Sequence, residues 1–165
     1  MTHRVGYFWD MIEGRQPAPP AARLLGWKLL AIDPAAGSIE VEFLATESFL
    51  NPAGSVQGGL LSAMLDDTLG PAAMAFLGGD RMAQTLELKV SFMRPARPGR
   101  LVGRGRVVHR GREILFLEGE LRDSDHRLIA TATATARAIA LPERPPASEA
   151  CVSMHSPEEP VCRTR

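Results

Sequence analysis

The stretch Asn51-Pro52-Ala53-Gly54-Ser55-Val56-Gln57-Gly58-Gly59-Leu60-Leu61-Ser62-Ala63-Met64-Leu65-Asp66-Asp67 decides the fold. A turn-rich loop ends in two glycines and passes at once into an apolar-periodic segment. That pattern predicts a helix from about Gln57 to Leu77, stopped by Gly78-Gly79. Pro71 falls inside it and removes one helix hydrogen bond. Helices begin with free backbone N–H groups and a partial positive charge. Glycine at such a start lets a substrate oxygen approach the backbone, which builds an oxyanion site without side chains. Asp66 and Asp67 stand mid-helix at a local cost, because Asp is a poor helix former and adjacent like charges repel.

On the N-terminal side, Gly26 to Ile32 reads as a strand and Asp33-Pro34-Ala35-Ala36-Gly37 as a turn. Ser38 to Thr46 alternates Ile39, Val41 and Phe43 against Glu40, Glu42 and Leu44, a half-buried second strand. Four more strands follow the helix: Met82–Met93, Arg100–Arg110, Glu113–Arg122 and Leu128–Leu141. The first of them sets Leu86, Leu88, Val90 and Phe92 on one face and Thr85, Glu87, Lys89 and Ser91 on the other. The second sets Arg104 and Arg106 opposite two glycines. The last lines one face with Ala130, Ala132, Ala134, Ala136 and Ala138, as suits a sheet pressed close against the helix. One long helix and six strands joined by short turns imply an α+β fold, a curved antiparallel sheet wrapped round one central helix. Residues 5–14 have the spacing of a short helix that the prolines at 17, 19 and 20 break. The expected organisation is an N-terminal helix and Pro-rich lead-in over 1–24, one domain over 25–141, and a Pro-rich disordered tail over 142–165.

Nineteen basic and nineteen acidic residues give a formal net charge of zero, which argues against a nucleic-acid partner. No apolar run is long enough to cross a membrane. Met1 to Asp10 lacks the apolar core of a signal peptide, so a cytoplasmic location is expected. Cys151 and Cys162 both fall in the tail, away from any periodic segment, and no disulfide framework is expected. Neither a metal nor a cofactor is expected. Phosphate-loop, Gly-x-Ser-x-Gly and His-Glu-x-x-His motifs are missing, so the residues support no Ser–His–Asp triad.

Asp66 lies eight residues beyond Gly58, roughly 12 Å along one helix. A carboxylate there cannot reach a carbonyl held at its own helix start. If both act on one substrate, two chains supply them. Gly58, Ser62 and Asp66, with Gly59, Ala63 and Gly70 beside them, form a stripe of small residues that admits a partner helix. A two-fold homodimer with antiparallel helices follows, its site at the subunit interface, with dimer and tetramer both open. Each feature also has a plainer reading: Gly58-Gly59 only opens a helix, Asp66-Asp67 is a solvated patch, Asn51 is a turn residue, Thr85 is strand filler, and the arginines are a solvated outer face.

In Asn51, Gln57-Gly58-Gly59, Asp66 and, nineteen residues on, Thr85, the chain resembles the hotdog-fold acyl-CoA thioesterases of the phenylacetic-acid-degradation type. Phe92-Met93-Arg94-Pro95-Ala96-Arg97-Pro98-Gly99 is similar to the family's strand end, and the likeness covers roughly residues 25–140. The resemblance implies the hotdog fold and hydrolysis of acyl-CoA. It implies that the Gly58 N–H polarises the thioester carbonyl, with Asn51 positioning it and Gly59 beside it. Asp66 of the other subunit serves as general base or nucleophile, and Thr85 holds the water or the carboxylate. Gln57 stands where the family has histidine. Glutamine hydrogen-bonds but does not titrate near neutrality, so the implied effect is tuning of the site. Arg94, Arg97, Arg104 and Arg106 are candidates to meet the CoA phosphates. Two other classes stay open: a hotdog module that binds acyl-CoA without turnover, and a hotdog dehydratase or hydratase, which relies on an acid–histidine pair.

Overall fold

Where the apolar period is 3.6 the chain is helical, and where it is two the chain is extended. The computed structural model describes residues 6–140. The elements are α1 (Tyr7–Ile12), α2 (Pro20–Leu24), β1 (Lys28–Asp33), β2 (Ser38–Ala45), a 3-10 turn at Glu47–Phe49, α3 (Gly58–Phe76), β3 (Arg81–Phe92), β4 (Gly99–Arg110), β5 (Ile114–Asp123) and β6 (Leu128–Ala140). The strands form one sheet in the order β1-β2-β4-β5-β6-β3, and every neighbouring pair is antiparallel. The fold is the expected α+β arrangement, with α3 packed on one sheet face. The expected tail and its cysteines lie outside the described residues. Among the described residues no helix is long and apolar enough to cross a membrane.

The core is the meeting of α3 with the inner sheet face. Met64, Leu65, Leu69, Ala72 and Ala73 of α3 are buried against Val41, Phe43, Leu101, Leu115 and Leu121. The alanine face of β6 is buried in the same core, as its pattern predicts. The tightest approach of helix to sheet lies elsewhere, over glycines of β4. A Cβ on Gly103 would fall 2.3 Å from Thr68 Oγ1, and one on Gly105 would fall 3.0 Å from Leu69 and Thr68 side-chain atoms. The Thr68 hydroxyl is buried and donates to the Met64 carbonyl at 2.7 Å.

Three local features differ from the expectation. The prolines at 19 and 20 start a further helix, α2, since Pro20 at its first position gives up only an N–H that would have no partner there. Pro71 does leave the Asp67 carbonyl without its helical donor, but the Trp27 indole N–H, from just before β1, donates to that oxygen at 2.9 Å. The lead-in is packed: Phe8 and Trp9 are buried against Ala75 near the end of α3, and the Trp9 indole N–H donates to the Gly78 carbonyl at 3.1 Å.

Candidate active site

At the start of α3 the backbone of Gln57 does the capping. Its N–H donates to the Phe49 carbonyl at 2.8 Å, and its carbonyl accepts from Leu60 N–H at 2.9 Å and Leu61 N–H at 3.2 Å. Its side chain is exposed and makes no cap hydrogen bond. Gly58 and Gly59 therefore occupy the first two helical positions, where N–H groups have no partner within the helix. An anionic oxygen is favoured at such a place. The loop before it is built by Asn51. Asn51 Oδ1 accepts from Ala53 N–H at 2.9 Å and Ser55 N–H at 3.3 Å, and Nδ2 donates to Ser55 Oγ at 3.1 Å. Asn51 thus holds the loop that presents Gly58. The Phe92 ring lies against Gly58, whose Cβ would sit 3.2 Å from Phe92 Cζ. Gly59 has open space on its Cα, with no heavy atom within 4 Å of an added Cβ.

Two turns further along α3, the Thr85 hydroxyl donates to Asp66 Oδ1 at 2.8 Å. Strict alternation would not put it there. The period-two reading sets Thr85 on the face of Glu87, Lys89 and Ser91, away from Leu88 and Val90. In the structure β3 carries a bulge against β6: Thr85 pairs with Ala136 and Glu87 with Thr135, leaving Leu86 as the extra residue. From Leu88 onward the inward positions pair with Ala134, Ala132 and Ala130, so the bulge brings Thr85 onto the same inner face. A bulge re-aims a side chain at the cost of one ladder step.

Asp67 lies beside Asp66 in a different setting. Its Oδ2 is buried with no hydrogen-bond partner among the described residues. Burial, and secondly the nearby charge of Asp66, push its carboxyl up to about 6 from 3.8. Asp66, Thr85 and Asp67 border a cavity of about 370 Å³ whose other walls include Tyr7, Met11, Trp27 and Met74.

A family model for the thioesterase superfamily matches residues 53–130. A Saccharolobus solfataricus protein named for esterase activity is 34% identical over 97 residues, 58% of this chain and 68% of that one. Among solved structures, a candidate thioesterase related to phenylacetic acid degradation, from Ralstonia eutropha JMP134, is 46% identical with a TM-score of 0.76. The match covers 80% of this chain and 99% of that one. The chain belongs to the thioesterase superfamily. A Pseudomonas aeruginosa protein, 30% identical, has the same fold with a TM-score of 0.69 over 76% of this chain and 98% of that one.

The fold is therefore the hotdog fold, and thioester hydrolysis is its class of activity. Within one chain of this thioesterase, Asp66 and Thr85 meet, while Gly58 stands two helical turns away with Asn51, Gln57 and Gly59. The four arginines divide. Arg97 is exposed on the loop whose Ala96 carbonyl accepts the Val56 N–H at 2.9 Å, so it borders the start of α3. Arg94, on the same loop, donates to the Leu128 carbonyl at 2.9 Å. Arg104 and Arg106 are not brought to the site. Strand alternation turns them from α3, because Gly103 and Gly105 face it, and they pair with Glu40 at 3.0 Å and Glu118 at 2.5 Å. Sequence reading missed Phe92 as a neighbour of Gly58, Trp27 as partner of the Pro71 gap, and α1 as a wall of the cavity. A missing donor four residues after Asp67 was the one readable signal for Trp27.

Proposed function

We propose that this thioesterase hydrolyses the thioester of an acyl- or aryl-acyl-CoA to free acid and CoA, in a site shared by two copies of the chain. The observation that carries this is the Thr85 hydrogen bond to Asp66, roughly 12 Å along the helix from Gly58. A carboxylate fixed by a hydroxyl is what a general base needs, and a module that only bound its ligand would not need one. The Gly58 N–H of one subunit polarises the thioester carbonyl, and Asp66 of the partner subunit takes a proton from water as the water oxygen attacks the carbonyl carbon. The tetrahedral oxyanion rests on the helix start. Its collapse breaks the C–S bond, and the CoA thiolate leaves and takes up a proton. Thr85 holds Asp66 in line, Gln57 tunes the helix start as a hydrogen-bonding side chain that does not titrate, and Arg94 and Arg97 meet the CoA phosphates.

The free edge of β3 supports the pairing of chains. It is the last strand of the sheet, and Leu86 is 57% and Phe92 52% exposed. Such an edge invites another strand. The relative from Ralstonia eutropha, related to phenylacetic acid degradation, supports the aryl-acyl member of the substrate class.

The test is thiol release from a panel of short, long and aryl acyl-CoAs, with Asp66→Asn as the variant. Wild type should release thiol, and Asp66→Asn should lower kcat by roughly 100-fold or more. A folded Asp66→Asn variant that retained wild-type turnover would remove Asp66 from the chemistry.

A further inference from the structure

The cavity of about 370 Å³ beside Asp66 is not used by the steps above. Asp66, Gly70 and Met74 all border it, and at i, i+4 and i+8 they share one face of α3 over roughly 12 Å. Met74 and Met11 both pack against the Phe8, Trp9 and Ala75 cluster, so α1 closes the end remote from Asp66. We infer that this cavity receives the acyl group of the thioester, and that Gly70 and Met11 set the length of acyl group accepted. The inference rests on the hydrolysis proposed above and names its substrate class: uncharged aliphatic or aryl acyl groups of limited length.

Three observations support it. The cavity opens beside the hydrogen-bonded Asp66 and Thr85, where the acyl carbon must lie for a water on Asp66 to reach it. Its size falls in the range of small-molecule pockets, and its aromatic and thioether walls are apolar and adaptable. Among the described residues no lysine, arginine or histidine lines it, whereas Asp66 and Asp67 do. A carboxylate at the far end of an acyl group would lose its water and meet only like charge there. Gly70 is the natural point of control, since an added Cβ meets no heavy atom within 4 Å. Since Gly70 lines the cavity, a side chain at 70 has that space to grow into.

The experiment compares wild type with Gly70→Leu, which fills the cavity, and Met11→Ala, which lengthens it. Two readouts use one chain-length ladder: thiol release from acetyl- through palmitoyl-CoA, and calorimetric binding of the matching S-alkyl-CoA thioethers, which cannot be hydrolysed. Gly70→Leu should move the optimum to shorter chains, losing roughly 10-fold or more in kcat/KM on the longest chain wild type accepts, with acetyl-CoA least affected. Met11→Ala should move the optimum to longer chains. Succinyl-CoA should be a far poorer substrate than butyryl-CoA. An unchanged ranking in both folded variants, or succinyl-CoA turned over as well as butyryl-CoA, overturns the assignment. Thiol release with an unmoved ranking would keep hydrolysis and discard the cavity. Shifted thioether binding without thiol release from any acyl-CoA would keep the cavity and discard hydrolysis. If Gly70→Leu does not fold, the opposite shift in Met11→Ala carries the test.

Discussion

At the scale of the residue, Asp66 and Asp67 are neighbours in the chain with opposite settings. Asp66 has a hydroxyl donor, and Asp67 has a buried oxygen without one among the described residues. Burial favours the neutral form of Asp67, so between pH 3.8 and about 6 the folded chain holds a proton that the unfolded chain has lost. Stability therefore falls as pH rises through that window and stays lowered above it. Asp67→Asn removes this penalty. Thermal melts should show the variant gaining over wild type well above pH 6, with the gain fading as pH drops toward 3.8. Its turnover should fall far less than that of Asp66→Asn. A gain equal at all pH values would mean that burial of the charge is not what Asp67 costs the fold.

At the scale of the element, the glycines of β4 let α3 lie close to the sheet. Gly103→Ala would force a Cβ to 2.3 Å from the Thr68 hydroxyl, which is buried and tied to the Met64 carbonyl. The expected loss is roughly 1–3 kcal/mol, read by urea denaturation with an unchanged slope. Gly59→Ala is the contrast. Its Cβ meets nothing within 4 Å, so stability should hold. Equal losses for the two variants would contradict the close approach at β4. The bulge in β3 acts at the same scale, since one extra residue, Leu86, turns Thr85 to Asp66.

At the scale of the whole molecule, the proposed sharing of the site by two chains rests on the separation of Gly58 from Asp66, and a mixing experiment tests it. Gly58→Val blocks the helix start, and Asp66→Asn removes the base. In a mixed dimer one site collects both lesions and the other collects neither. Refolding the two variants together should restore activity, approaching about a quarter of wild type per chain when pairing is random. No recovery from proven mixed dimers would put both groups in one chain's site.

The sequence by itself determined the element order, since the switch from period two to period 3.6 and back is local and strong. It also determined the helix start at Gly58-Gly59, the Asp66 level on α3, and the placing of Arg104 and Arg106 on the strand face opposite two glycines, because each follows from fixed spacing on one element; that this face points away from α3 came from the structure. Only the tertiary structure decided the strand order β1-β2-β4-β5-β6-β3, the bulge at Leu86, the Trp27 bond to the Asp67 carbonyl and the docking of α1. Those depend on partners distant in sequence. Periodicity describes one segment against a generic core, whereas a bulge, a healed helix gap or a cavity wall depends on which particular segment packs opposite.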